Sequence, residues 1–154
     1  EICACLVGSE MCIRDRASSD EYNLLVNGTA ITAFPVYYQN DLALLRQSLR
    51  IVQAGTEVAE VKGKDLIPAH GLAMSRLLKT SVFSTEALTY EQAIAYLRKE
   101  AIVLPPSVPK GYVLVTYKEI PLGFVKNIGN RANNLYPQEW RIRSGYLPDD
   151  IRTL

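Results

Sequence analysis

Residues 112–126 read Tyr112-Val113-Leu114-Val115-Thr116-Tyr117, then Lys118-Glu119, then Ile120-Pro121-Leu122-Gly123-Phe124-Val125-Lys126. The first run is almost wholly apolar, as a strand covered on both faces must be, and so predicts a central strand. Lys118-Glu119 predicts the turn, and Ile120 to Lys126 the returning strand. Pro121 donates no ladder hydrogen bond and Gly123 has no side chain, which predicts an edge position or a close backbone approach. Upstream, Leu104-Pro105-Pro106-Ser107-Val108-Pro109 stops a helix and serves as a stiff connector. That helix opens at Thr89, where Thr89 and Gln92 make a capping box, and Tyr90, Ala93, Ile94, Leu97 and Ala101 form its apolar stripe. Downstream, Asn127 to Asn134 reads as a polar loop. Trp140-Arg141-Ile142-Arg143 reads as a last short strand, with both arginines on one face and Trp140 and Ile142 turned inward.

The preceding stretch predicts a second unit. Tyr22 to Val26 and Thr29 to Tyr38 flank Asn27-Gly28, whose tolerance of positive φ makes a tight hairpin. Asn40 or Asp41 is placed to cap a short helical turn through Leu45. Leu49 to Ala54 follow, and after Gly55 come Thr56 to Val61, which alternate as a half-buried strand does. Pro68 suits the first position of a helix that turns Leu72, Ala73 and Leu77 toward a core. Helices at the ends of hairpins indicate an α+β fold. The expected organisation is a small antiparallel sheet over residues 20–80, a small β-barrel with flanking helices over 81–146, and a tail over 147–154. Residues 1–19 are expected to be an artefactual or disordered leader. They show no sustained period, and Leu6 to Arg16 resembles a translated sequencing-adapter read-through.

Composition narrows the chemistry. The 154 residues are 48% apolar and 21% charged, with no aliphatic run long enough to span a bilayer, so no membrane partner is expected. The nine glycines nowhere cluster into a phosphate loop, which argues against a nucleotide-binding core. Cys3, Cys5 and Cys12 match no zinc spacing and have no histidine nearby, so no metal is expected. The cysteine-free remainder suits a cytoplasmic protein. His70 lacks the nucleophile and carboxylate context of covalent catalysis and is expected to pack or to bond backbone. No catalytic residue is assigned.

The charge is where the sequence becomes informative. The net value is +1, yet residues 110–146 hold Lys110, Lys118, Lys126, Arg131, Arg141 and Arg143 against only Glu119 and Glu139, a local +4. A polyanion would dock there first. Tyr136 and Trp140 lie among Arg131, Asn133, Asn134, Arg141 and Arg143, and aromatic planes interleaved with arginines suit bases and phosphates together. With Trp140 expected inward, Tyr136 is the expected stacking residue. Lys126, Arg131, Arg141 and Arg143 are expected to share one surface beside it.

Pro109 to Lys126, followed by Asn130-Arg131-Ala132-Asn133-Asn134-Leu135-Tyr136-Pro137-Gln138-Glu139-Trp140-Arg141-Ile142-Arg143, closely resembles the PUA-like RNA-binding tail of bacterial ribosomal RNA cytosine-5 methyltransferases of the RsmF type. Leu49 to Gly55, Glu60-Val61-Lys62 and Ile67 to Ala73 resemble the small domain that links their catalytic core to that tail. The resemblance implies an RNA-binding role for Lys126, Arg131, Asn134, Tyr136 and Arg141, which match the family's motif, and Arg143 joins them by sharing a face with Arg141. Family members methylate cytosine with S-adenosylmethionine and two cysteines in a Rossmann-like domain. Cys3, Cys5 and Cys12 lie in none of the family's Pro-Cys or Thr-Cys contexts, so this chain is expected to hold no cofactor and to be inert alone. Its implied partners are ribosomal RNA and, in cis, the methyltransferase domain. The open alternative is a module that packs on that domain and stiffens it. Asn133 replaces a usual lysine and Lys118-Glu119 a turn that is often glycine-ended, which implies weaker nonspecific affinity.

Overall fold

The computed structural model describes residues 21–145; the leader with Cys3, Cys5 and Cys12, and the tail over 147–154, lie outside them. The first hairpin forms as its turn residues dictate. Strand β1 (Tyr22–Asn27) pairs antiparallel with β2 (Ala30–Pro35), Asn27 opposite Ala30. The loop is therefore Gly28-Thr29, and of these residues only Gly28 takes positive φ, +61°. Asn27 ends the strand instead of sharing the turn.

Helix α1 (Gln39–Ser48) follows a 3-10 turn over Val36–Tyr38, with Tyr38 as its N-cap and no side-chain cap bond. Neither Asn40 nor Asp41 caps it, and it runs beyond Leu45. Leu49 to Ala54 form no strand. Strands β3 (Thr56–Lys62) and β4 (Asp65–Pro68) complete an antiparallel sheet in the order β1-β2-β3-β4. The register slips at Val58, because Thr32 faces Glu57 and Ile31 faces Ala59. This bulge sends the consecutive Val58 and Ala59 both into the core, where strict alternation would expose one. Pro68 closes β4, not a helix start: helix α2 (His70–Ala73) is a single turn behind Ala69. Leu72, Ala73 and Leu77 are buried as their spacing predicts.

The second sheet corrects the expected barrel. Its strands are β5 (Ser84–Ala87), β6 (Gly111–Tyr117), β7 (Ile120–Asn127) and β8 (Ala132–Asn134), in that spatial order. No pairing among the described residues closes β5 onto β8. β5 runs parallel to β6, and helix α3 (Tyr90–Leu97) lies on the crossover between them, the connection a parallel pair requires. β5 was hidden because Ser84-Thr85-Glu86-Ala87 carries no apolar alternation. The capping box forms in full, with Thr89 Oγ1 accepting from the Gln92 N–H and Gln92 Oε1 from the Thr89 N–H. α3 buries Ala93 and Tyr96 and stops at Leu97; Lys99 takes φ +67°, so Ala101 lies beyond the helix and is exposed.

β6 is central, as its apolar run predicts. β7 is internal too, but β8 reaches only Val125 to Asn127, which leaves Pro121 and Gly123 unpaired on that side. Gly123 also answers to close approach: a Cβ there would meet the Tyr96 hydroxyl and come within 3.0 Å of His70 Nδ1. The expected polar loop holds β8, with Ala132 buried. Trp140 to Arg143 form no strand. Gln138–Trp140 is a 3-10 turn and residues 141–145 run irregularly, tied to α3 where the Ile142 N–H donates to the Leu97 carbonyl at 2.9 Å.

The second sheet is covered on both faces. Leu114 and Phe124 pack with Ile31, Ala33, Val58 and Leu72 of the first unit. Val113, Val115 and Val125 pack with Ala93 and Tyr96 of α3. The two sheets thus share one core cluster, and the site forms where the chain emerges from it.

Candidate nucleic-acid interface

Asn134 fastens the segment that leaves β8. Its Nδ2 donates to the carbonyls of Tyr96 (2.8 Å) and Glu100 (3.0 Å), and its Oδ1 accepts from the Tyr136 N–H at 2.9 Å. These bonds tie the exit from β8 to the C-terminal end of α3, where the Tyr96 carbonyl also accepts from the Lys99 N–H. The amide that the resemblance assigns to RNA makes three bonds within the fold.

Tyr136 is half-buried and held by several contacts. Its ring meets His70 edge-on at 5.0 Å and Tyr96 at 5.5 Å, and its hydroxyl donates to the Trp140 carbonyl at 3.4 Å. Lys99 Nζ donates to the Tyr136 carbonyl. Trp140 is 62% exposed and touches His70 at 5.3 Å, the rings nearly perpendicular. Trp140 is therefore the more exposed of the two rings, where the sequence reading turned it inward. Strand alternation placed Trp140 inward, but residues 138–140 wind as a 3-10 turn and the period of two does not apply. His70 packs, as expected. Its Nδ1 is buried with no hydrogen-bond partner among the described residues, and burial holds its pKa below the ordinary value.

Beside this cluster lies an open groove of about 350 Å³ lined by Arg98, Glu100, Arg141, Ile142, Arg143, Ser144 and Gly145. Three arginines against one carboxylate leave it net positive. Arg98 was missed in the sequence. It is the C-cap of α3, and a cation at a helix C-terminus is the one local signal it carried. Its Nη2 donates to the Ser144 carbonyl at 2.9 Å, while its Nε is buried without a partner among the described residues.

Lys126 and Arg131 lie elsewhere. Lys126 shares its face of β7 with Phe124, toward the first unit, and pairs with Asp65 at 2.8 Å while resting 5.3 Å from the Tyr112 ring centroid. The Asp65 hydrogen bond chiefly raises its pKa. Arg131 is exposed in the β7–β8 loop, its carbonyl accepting from the Ile128 N–H. Arg141 and Arg143 come together as expected, but Lys126 sits on the sheet face opposite α3, so the single basic surface is corrected to a groove plus an outlying ion-paired lysine. Among the described residues no cluster of metal-ligating side chains occurs, and no helix is long and apolar enough to cross a membrane.

Two small sheets that share a core and present an arginine-lined groove define an α+β binding module. Residues 83–142, which hold the second sheet, match the family model described as the methyltransferase RsmF PUA domain. The ribosomal RNA small subunit methyltransferase F of Enterobacter sp. (strain 638) is 31% identical over 117 residues, which are 76% of this chain and 23% of that protein. Its counterpart in Klebsiella pneumoniae (strain 342) is 28% identical over 99 residues, 64% of this chain and 20% of that protein. That of Shigella boydii serotype 4 (strain Sb227) is 30% identical over 114 residues, 74% and 22%. The chain spans about a fifth to a quarter of the length of these relatives. The Enterobacter alignment is nearly twice as long as the segment that the family model covers, so the likeness extends into the first unit. The resemblance read from the sequence is borne out.

Proposed function

We propose that this chain is the non-catalytic, C-terminal RNA-binding portion of a small-subunit ribosomal RNA methyltransferase. In this reading it positions ribosomal RNA for cytosine-5 methylation by an S-adenosylmethionine-dependent domain outside this chain, in the cytoplasm. The observation that carries the reading is the groove whose Arg98 and Arg141 lie within the segment that matches the RsmF PUA domain, with Arg143 just after its end. The test is binding of a small-subunit ribosomal RNA fragment across a salt series. Arg141→Gln with Arg143→Gln should lower the slope of log affinity against log salt by about 1.4, since each contact to single-stranded RNA releases about 0.7 counterion. Lys126→Gln should change it less, because Lys126 is already paired.

A second reading, docking on the parent protein, is favoured by one observation. Val52 (94%), Tyr37 (85%), Leu44 (63%) and Leu49 (57%) are exposed within one stretch around α1, which buries only Leu42. Apolar exposure on that scale marks an interaction surface, and the relatives are more than four times as long as the aligned stretch. The two readings are compatible, one for each unit. Leu44→Ser with Val52→Ser should leave RNA affinity of this chain unchanged and lower the melting temperature of the full-length parent.

A further inference from the structure

We infer that Trp140 is the base-stacking residue of a subsite for unpaired RNA, and that the groove beside it takes single-stranded or looped-out nucleotides in preference to duplex. The inference rests on the RNA-binding reading above and specifies its ligand. Trp140 is a large aromatic left 62% exposed, yet it is not loose. His70 of the first unit braces it from one side at 5.3 Å, and the Tyr136 hydroxyl holds its carbonyl. His70 is in turn packed on Tyr136, which packs on Tyr96. This chain of rings fits only because Gly123 has no side chain. An indole held in this way loses little rotamer freedom when a base settles on it, so more of the stacking energy appears as affinity.

The placement of the charges fits the same ligand. Arg141 follows Trp140 directly and Arg143 lies three residues on, so phosphate-binding groups begin within roughly 10 Å of the indole along the chain. A base on Trp140 and phosphates in the groove require a strand whose base is turned out of its stack. A-form duplex keeps its bases stacked and offers chiefly phosphates and 2′-hydroxyls, whereas loops and bulges expose base faces. Stacking on an aromatic side chain is tolerant of sequence, so the subsite should accept any base.

Trp140 is the only tryptophan in the chain, which makes its emission the direct readout. The experiment titrates the full chain with an unpaired oligoribonucleotide and with a perfect duplex of equal length, following emission and, separately, affinity by anisotropy of labelled RNA. The unpaired strand should quench Trp140 saturably and bind more tightly; the duplex should leave emission unchanged. Trp140→Leu should lower affinity for the unpaired strand roughly ten- to a hundredfold, the range of one lost stack, with the salt slope unchanged. Trp140→Phe should restore most of it. Circular dichroism checks the fold of each variant. Saturable binding without quenching, or equal affinity for strand and duplex, overturns the stacking inference and leaves the phosphate-groove reading standing. No saturable binding of either RNA overturns both.

Discussion

At Gly123 the backbone takes φ +148°, and a Cβ there would run into the Tyr96 hydroxyl. Gly123→Ala should therefore destabilise by about 2–3 kcal/mol, the range of an overpacked core site, measured by urea denaturation. In a Tyr96→Phe background the penalty should shrink, because the nearest obstructing atom is gone. His70 makes a prediction with a definite sign. Burial lowers its pKa below 6.5, so the neutral ring is the form that the folded state favours. As pH falls, the unfolded chain takes up its proton first. The contribution of His70 is thus fully present above about pH 6.5 and is lost as pH falls through the folded value. His70→Phe should flatten this part of the stability profile between about pH 7 and pH 5. These two residues also show what the sequence could carry at this scale. That His70 would pack, and that Gly123 answers to close approach, were both legible from residue type and context. That Trp140 would lie exposed against His70 was not, because that contact reaches into the other unit, seventy positions away in sequence.

The β6–β7 turn offers the clearest test among the elements. Lys118 and Glu119 take φ +46° and +67°, left-handed conformations that cost non-glycine residues about 1–2 kcal/mol each. Their presence between strands whose register is well defined explains why the turn forms at all: Tyr117 and Ile120 are held opposite each other by the rest of the ladder. Lys118→Asn with Glu119→Gly should stabilise the protein by about 1–2 kcal/mol, read from the shift in the urea midpoint. Asn134→Ala should act in the other direction. It removes the bonds to Tyr96, Glu100 and Tyr136, at about 1 kcal/mol for each net hydrogen bond lost, and it frees the segment that carries Trp140. Elements with a strong local signature were readable: the hairpin at Gly28, the central β6, and α3 with its capping box. Those without one were not. β5 is four residues of weak strand propensity held by pairing with β6, and β8 is three residues recruited by β7. The open sheet follows from that parallel β5, whose partner lies more than twenty residues downstream and cannot be inferred from local alternation.

At the scale of the whole molecule, the decisive fact is that one core cluster draws on both sheets. Leu114 and Phe124 come from the second, Ile31, Val58 and Leu72 from the first unit, and Phe83 between them meets Phe124 with ring centroids 4.8 Å apart. Neither sheet can lose its face of this cluster without exposing the other, so the described residues should unfold as one cooperative unit. By contrast, the Lys126–Asp65 pair that also joins the units is exposed at both ends, with side chains 38% and 60% accessible. A double-mutant cycle on it should return less than about 1 kcal/mol. The apolar contact dominates, and Leu114 tests it because its side chain is fully buried. Leu114→Ala should cost about 3–4 kcal/mol, the range of large-to-small changes at rigid core sites. Its effect should appear equally in two probes: Trp140 emission, which reports on the site, and far-ultraviolet dichroism, which reports on both sheets. Coincident transitions that move together in the variant are the expected result. A first sheet that melts separately, leaving the emission transition in place, would show that the brace His70 supplies to Trp140 is not maintained by the shared core. The groove would then have to be organised by α3 and Asn134 alone.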